Sequence, residues 1–187
     1  MDRKEFFEKS LKFGLCSGAL VVLGGTESSV AAQTPPEELA RVTREKEFIQ
    51  NWLIDLLDTM ETELDRESAE KLLAGCGRGC FRRHEFKQKI AERGKGDVDK
   101  LIEAYKQNFE VWREGETVHI RYGEVSNQCY CPAANYRTSK PQDIHCECTR
   151  STHQTIFETA LGRSIRVEIV ESLRRGGKTC HFRAHLA

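Results

Sequence analysis

Apolar residues in the first half of the chain recur at helical spacing. The longest such pattern follows Pro35 and Pro36, with Glu37 and Glu38 in the first turn, which is typical of a helix start. The apolar positions that follow are Leu39, Val42, Ile49, Trp52, Leu53, Leu56, Leu57 and Met60. Their spacing of three or four residues predicts one long helix that buries a broad apolar stripe.

Three shorter helices are predicted to follow the long one. The first runs from about Arg66 to Ala74 and stops at the glycine-flanked Cys76, because glycine permits the left-handed cap of a helix end. The second begins near Cys80 and ends by Gly94. The third starts at Asp97, a residue suited to the N-cap. In this interpretation Cys76 and Cys80 lie in a turn between two helices.

The second half of the chain changes to the alternating period of β-strands. Residues 109–122 alternate around Glu114 and Gly115 and predict a hairpin. Residues 123–143 have no clear period and predict a loop.

A helix and two strands are predicted to close the chain. Ser151 and Gln154 fit a capping box for a helix that ends at Gly162. Strands over 165–169 and 180–186 are predicted on either side of a glycine turn. The second of these strands directs Cys180 toward the core, while His181 and His185 are predicted to lie on its exposed face.

The first residues predict export. Arg3 and Lys4 precede an apolar run over 13–23, and the small residues at 29–31 predict cleavage before Ala32. The run is too short to span a bilayer, and Arg3-Lys4-x-Phe-Phe resembles a twin-arginine motif with lysine in the second arginine position. The expected organisation is an export signal over 1–31 and one cysteine-rich domain over 32–187, located in the periplasm. An N-terminal amphipathic helix is the alternative interpretation.

Charge argues against two classes of partner. The chain carries 29 basic and 29 acidic residues, and the predicted leader contains four of each, so the mature chain also has no net charge. Nucleic acid and anionic membrane surfaces are therefore not the expected partners. No membrane-spanning segment is predicted in the mature chain.

Cysteine provides the strongest chemical signal. Of the eight cysteines, Cys16 lies in the predicted leader, and six others form three close pairs. The pairs are Cys76 with Cys80, Cys129 with Cys131, and Cys146 with Cys148. Paired thiols from separate segments predict a metal site, which four cysteines would satisfy for zinc or an iron–sulfur cluster. Spacing does not choose between these two.

The preferred ligand set is Cys76, Cys80, Cys146 and Cys148, with Cys129 and Cys131 as the alternate pair. The arginines that follow Cys76 and the helix start predicted after Cys148 should both favour thiolate over thiol.

The end of the chain resembles a known family. Leu161-Gly162, the strand over 167–172 and the segment 175–182 with its Cys180-His-Phe ending are similar to the close of vinyl-reductase-type domains and of the related L-2-amino-thiazoline-4-carboxylic acid hydrolase family. The resemblance implies an α+β domain with helices packed on an antiparallel sheet, similar to transport-particle subunits. It also implies a small-molecule pocket between the helices and the sheet.

Three functions follow from these observations. The preferred function is an exported metal-binding domain with a sensing or redox role. The second is a hydrolase of a small amide-like substrate, in which a metal-bound water or the Cys148 thiolate attacks, His145 or His153 acts as base and Glu147 orients the histidine. The third is a binding protein stabilised by disulfides, which an oxidising compartment would favour. Whether the protein is an enzyme is left open.

Overall fold

Helices and an antiparallel sheet make up the computed structural model, which describes residues 36–127, 129, 131 and 137–187. The predicted leader and its cleavage site lie outside the described residues. The elements in chain order are α1 (Pro36–Glu63), α2 (Arg66–Arg83), α3 (Glu85–Arg93), α4 (Val98–Lys106), β1 (Glu110–Glu114), β2 (Thr117–Arg121), α5 (Cys146–Leu161), β3 (Arg166–Glu171), a short 3₁₀ turn (Leu173–Arg175) and β4 (His181–His185). The predicted α+β class is confirmed. No helix in these ranges has the length and apolar character needed to cross a membrane.

The four strands form one sheet in the order β1-β2-β4-β3, and each neighbouring pair is antiparallel. The hairpin predicted over 109–122 is β1 and β2. The register places Ile120 of β2 opposite Phe182 of β4, and both side chains are fully buried. Cys180, just before β4, is buried as predicted, while His181 and His185 on the other face are partly exposed.

The core lies between one face of the sheet and the helices α3, α4 and α5. Its largest fully buried side chains include Tyr105 from α4, Phe157 from α5 and Phe182 from β4. Burial of each such side chain contributes roughly 1.5–3 kcal/mol to folding. The small-molecule pocket that the family resemblance implies between the helices and the sheet stays a prediction. An open depression of ≈ 650 Å³ lies elsewhere, on the surface of α3 and α4 next to Arg93 and Asp99.

Helix α2 does not stop at the glycines around Cys76, as the sequence pattern predicted, but continues to Arg83. Gly77 explains the difference, because a Cβ atom at this position would lie 2.8 Å from Ser151 Cβ and closer still to the carbonyl oxygen of Cys148. Glycine at 77 therefore allows α2 and α5 to approach backbone to backbone rather than ending a helix. As a result, Cys76 and Cys80 lie one helical turn apart on the same face.

Helix α5 begins at Cys146, earlier than the capping box predicted from Ser151 and Gln154. Ser151 is already inside the helix, and its hydroxyl donates to the carbonyl of Ala74 in α2 at 2.9 Å. The carboxylate of Asp143 accepts the backbone N–H of His145 at the helix start, at 2.8 Å. Gly162 ends the helix in the left-handed conformation, as predicted.

Helix α1 confirms the predicted long helix but not the predicted burial. Leu57 and Gln50 are its only fully buried side chains within the described range, and Leu53 and Met60 are partly buried against α2. Most of the apolar stripe, including Leu39, Ile49 and Trp52, faces solvent. A helical period shows which residues share a face, but it does not show what covers that face.

Candidate cysteine site

The described cysteines converge on the region where α2, α5 and the loop before α5 meet. We call the seven of them the cysteine cluster: Cys76, Cys80, Cys129, Cys131, Cys146, Cys148 and Cys180. All seven are free thiols in this structure. Helix α2 contributes the first two, the loop the next two, and α5 contributes Cys146 and Cys148, while Cys180 precedes β4.

Cys148 has thiols from two other segments as neighbours. Burial raises the pKa of its thiol to about 12, and negative charge at Cys131, Cys80 and Cys76 raises it further. These three cysteines are therefore close enough to Cys148 to interact with it electrostatically. Leu57 of α1 and Leu73 of α2 belong to the apolar cluster against which Cys148 packs.

Cys129 belongs to a second group on the other side of the loop. Burial raises the pKa of its thiol to about 12, and Cys180, Cys131 and Cys146 each raise it further. Cys131 is thus a neighbour of both Cys148 and Cys129. Cys131 therefore links the two groups into one continuous cluster.

Cys146 and Cys148 do not face the same point. The Sγ atom of Cys146 lies 2.8 Å from the hydroxyl of Ser172, with which Cys180 also bonds, whereas Cys148 faces α2 and Cys131. Residues two apart in a helix do not share a face. Because α5 starts at Cys146 and includes both cysteines, the structure separates the pair that the sequence pattern treated as a single chelating unit.

The thiols of α5 are not activated in the way that the sequence pattern predicted. A helix N-terminus should lower a thiol pKa, but burial raises the pKa of Cys146 to about 11 despite its hydrogen bond with Ser172. Burial raises the pKa of Cys148 as well, to about 12, as described above. The ammonium of Lys87 on α3, a residue not singled out by the pattern, donates to the Sγ atom of Cys80 on α2 at 2.8 Å.

His145 lies against the cluster. Its Nε2 atom is 3.2 Å from the Sγ atom of Cys131, and its Nδ1 atom is buried with no hydrogen-bond partner among the described residues. Burial lowers the pKa of His145 to about 4, although the carboxylate of Asp143 opposes part of that shift. The ring is therefore neutral near pH 7, the form in which imidazole binds metal ions.

His153 is a core residue rather than part of the cluster. Its two ring nitrogens pair with the hydroxyls of Tyr105, at 3.2 Å, and Tyr122, at 2.9 Å. Burial lowers its pKa to about 3. Both nitrogens are engaged with tyrosines, so the ring does not act as a base for Cys148. Glu147 likewise does not orient a histidine, because its carboxylate pairs with Arg150 and Arg175.

A buried ion-pair network holds the loop that leads into α5. Asp143, with no exposed surface, pairs with Arg137 at 2.7 Å and with Arg174 at 2.7 Å. Arg137 also pairs with Asp58 and Glu61 of α1. The sequence pattern did not single out these residues, because single charges far apart along the chain carry no spacing signal.

The cluster in this structure is not arranged as a finished coordination sphere. Within the described ranges, no group of three or more His, Cys, Asp or Glu side chains is positioned to hold a metal ion. What the geometry does establish is a concentration of free thiols drawn from four parts of the chain.

Comparison with known proteins places the chain in a family. A model described as a family of unknown function, DUF6144, matches residues 29–186, so the chain belongs to this family. No curated protein matches the chain significantly. A crystal structure of a trafficking protein particle complex subunit 3 from Naegleria fowleri, covalently bound to palmitic acid, is similar in fold, with 15% sequence identity and a TM-score of 0.46 over 78% of this chain and 96% of that one.

Proposed function

We propose that this member of the DUF6144 family is an exported protein that binds zinc or an iron–sulfur cluster through Cys76, Cys80, Cys131 and Cys148. The observation that carries the proposal is the position of Cys148, whose thiol has the other three thiols as electrostatic neighbours. Four sulfurs from three segments are the ligand type and number that structural zinc and iron–sulfur clusters take.

Backbone geometry supports this set. Cys76 and Cys80 are four residues apart on continuous α2 and therefore project from one face of it. Gly77, between them, lets α2 approach the α5 backbone at Cys148. The set differs from the one favoured by the sequence pattern, because Cys131 takes the place of Cys146, which faces Ser172.

Electrostatics also favour a cation at this place. The raised pKa of Cys148 reflects burial and the mutual repulsion of neighbouring thiolates. A bound metal ion reverses both effects, since it deprotonates the thiols that coordinate it and offsets their charge. A site with four thiolates would carry excess negative charge, and Lys87 next to Cys80 supplies a nearby positive group.

Binding requires the thiols to rotate toward a common centre, because they are not arranged as a metal site in this structure. His145 offers a further ligand on the same side, with its neutral ring against Cys131. Metal analysis and visible absorption distinguish bound zinc from an iron–sulfur cluster.

A thiolate hydrolase receives less support from the geometry. A cysteine nucleophile needs a lowered pKa and a base within hydrogen-bond reach. Cys148 has a pKa raised to about 12, and within the described part of the chain neither His145 nor His153 is hydrogen-bonded to it.

The proposal is tested by metal analysis of matched variants. Protein purified without oxygen is assayed for zinc and iron, for iron–sulfur absorption in the visible range and for free thiols. The variants Cys148→Ser and Cys131→Ser should lose most of the bound metal. The control is Cys146→Ser, which changes a thiol two residues away in the same helix and should retain the metal.

Two results would contradict the proposal. One is wild-type protein that contains neither zinc nor iron when folded. The other is an intact mass that is lower by two units for each of several disulfides among these cysteines, which would favour the disulfide-stabilised binding protein. Metal loss in Cys146→Ser but not in Cys131→Ser would instead restore the ligand set that the sequence pattern favoured.

A further inference from the structure

The N-terminal half of α1 extends away from the rest of the domain. Every residue from 39 to 49 is exposed, whereas burial against α2 starts beyond that point. At 1.5 Å per residue, the 28-residue helix is ~42 Å long. An exposed helical segment of this kind is marginal in water by itself, because most helical stability in proteins comes from packing of the apolar face.

The largest solvent-facing apolar side chains of α1 lie in its exposed N-terminal half and in the two turns that follow. We call them the α1 stripe: Leu39, Val42, Phe48, Ile49, Trp52 and Leu56. Phe48 is 74% exposed, Ile49 62% and Trp52 60%. Monomeric soluble proteins rarely leave a contiguous patch of this kind open, so it marks an interaction surface.

The spacing of the α1 stripe indicates that its partner is another helix. Val42, Ile49 and Leu56 follow one another at intervals of seven residues. That interval keeps apolar side chains facing a partner helix along a left-handed supercoil. A flat membrane surface or an extended peptide would not require it.

We propose that the α1 stripe pairs with the same stripe of a second copy of this chain, in an antiparallel helix pair centred on Phe48. Arg41 and Asp55 lie seven residues on either side of Phe48, so they share its face of the helix. An antiparallel pair brings Arg41 of each copy opposite Asp55 of the other. A two-fold interface requires such self-complementarity.

The charges around Arg41 and Asp55 are compatible with an antiparallel pair of α1 helices. Arg41 contacts Glu38 and Glu45 within its own helix, and these ion pairs are exposed and therefore weak and exchangeable. Asp55 is exposed and forms no ion pair in the described part of the chain, so it is accessible to a cation from a partner. Two copies thus gain two symmetric ion pairs at the rim of an apolar seam.

The apolar area is large enough for a specific but reversible dimer. Aromatic side chains bury ~150–250 Å² each when fully covered, and each copy contributes Phe48 and Trp52 besides four aliphatic residues. The two stripes together offer roughly 1,200 Å², which is at the lower end of the range for specific interfaces. A reversible dimer is therefore expected.

Sedimentation of the full chain over a range of concentrations tests the proposal. The wild type should sediment as a dimer at high concentration. Phe48→Glu should weaken dimerisation by at least about tenfold, because it places two like charges at the centre of the pair. Val125→Glu is the control, since Val125 is 66% exposed but lies outside α1, and it should leave the dimer unchanged.

Exchange of the charges at positions 41 and 55 distinguishes pairing with a second copy of the chain from binding of another partner to the α1 stripe. Arg41→Asp and Asp55→Arg should each weaken the dimer, and the double variant should restore most of the lost affinity, because the exchanged charges again face each other. A monomeric wild type overturns the proposal, as does a monomer that binds lipid vesicles through Phe48. A dimer that Phe48→Glu leaves intact, or a double variant without rescue, also overturns it. Circular dichroism confirms that each variant is folded.

Discussion

The carboxylate of Asp143 is fully buried, and its Oδ2 atom accepts a hydrogen bond from Nη2 of Arg174 at 2.7 Å. The other oxygen accepts from Arg137 and from the backbone N–H of His145. One side chain therefore joins the 3₁₀ turn, the loop and the start of α5. This arrangement fixes the place from which His145 and Cys146 enter the cysteine cluster.

Removal of Asp143 should strongly destabilise the fold. Asp143→Ala leaves two buried guanidinium groups without their shared partner, and breaking a buried pair in this way costs about 3–5 kcal/mol. The free energy of unfolding, measured by urea titration, should fall by that amount. The exposed Asp99→Ala is the control and should change it by less than about 1 kcal/mol. A small effect of Asp143→Ala would mean that the network is not formed.

Two glycines of α2 should respond in opposite directions to the same substitution. Gly77→Ala places a methyl group against Ser151 and the backbone of Cys148, so it should destabilise the protein by about 1–3 kcal/mol. Gly75→Ala meets only the end of the Arg78 side chain, at 3.7 Å, and should stabilise the helix by about 0.5–1 kcal/mol. Thermal and urea unfolding of both variants measure the difference. Equal stabilisation by both would contradict the close contact between α2 and α5.

Acid should destabilise the protein through His153. Burial lowers its pKa to about 3, whereas the unfolded chain binds the proton near 6.5, so the unfolded state gains a proton that the folded state excludes. The contribution to stability is complete above pH 6.5 and is lost as the pH falls toward 3. Urea unfolding at pH 7, 6, 5 and 4 should show this decline.

The variant His153→Gln isolates that contribution, because glutamine can bond to a tyrosine hydroxyl but does not titrate. Its unfolding free energy at pH 7 is expected to be lower than that of the wild type, with a shallower decline between pH 6.5 and 4. His145, with its pKa lowered to about 4, continues to contribute a decline in both proteins. Parallel pH curves for the two proteins would show that His153 is not buried in the neutral form.

Thiol reactivity should follow burial in metal-free protein. Cys76 is exposed, whereas burial raises the pKa of Cys129 and Cys148 to about 12. Alkylation at pH 7.5 should therefore modify Cys76 first and Cys148 much later, as read by peptide mass spectrometry. If Cys76 is a zinc ligand, addition of zinc should then protect its thiol from alkylation as well. Rapid labelling of Cys148 in the folded protein would contradict its position against α2.

Sequence pattern predicted the elements well where local chemistry decides them. Asp97 accepts the first backbone N–H groups of α4, Gly162 ends α5 in the left-handed conformation, and Cys180 is buried before β4. Each of these depends on a cap, a turn or a period within a few residues. Export through the leader stays a prediction, since those residues lie outside the described part of the chain.

Pattern alone misread the glycines next to Cys76 and the start of α5. Gly77 looks like a helix end but is a point of contact with a helix about 70 residues away, as its distance to Ser151 shows. The pairing of Cys146 with Cys148 depended on where α5 begins, and Asp143 with its two arginines decides that start through tertiary contacts.

The sequence by itself thus determined the fold class, the order of the elements and the concentration of cysteine in three segments, because those properties are carried by period, caps and residue type. Only the tertiary structure decided which thiols are neighbours, that Cys131 rather than Cys146 lies beside Cys148, and that the apolar stripe of α1 faces solvent. The physical reason is that a side chain's burial and partners depend on which distant segments the fold brings against it, and no local spacing records that.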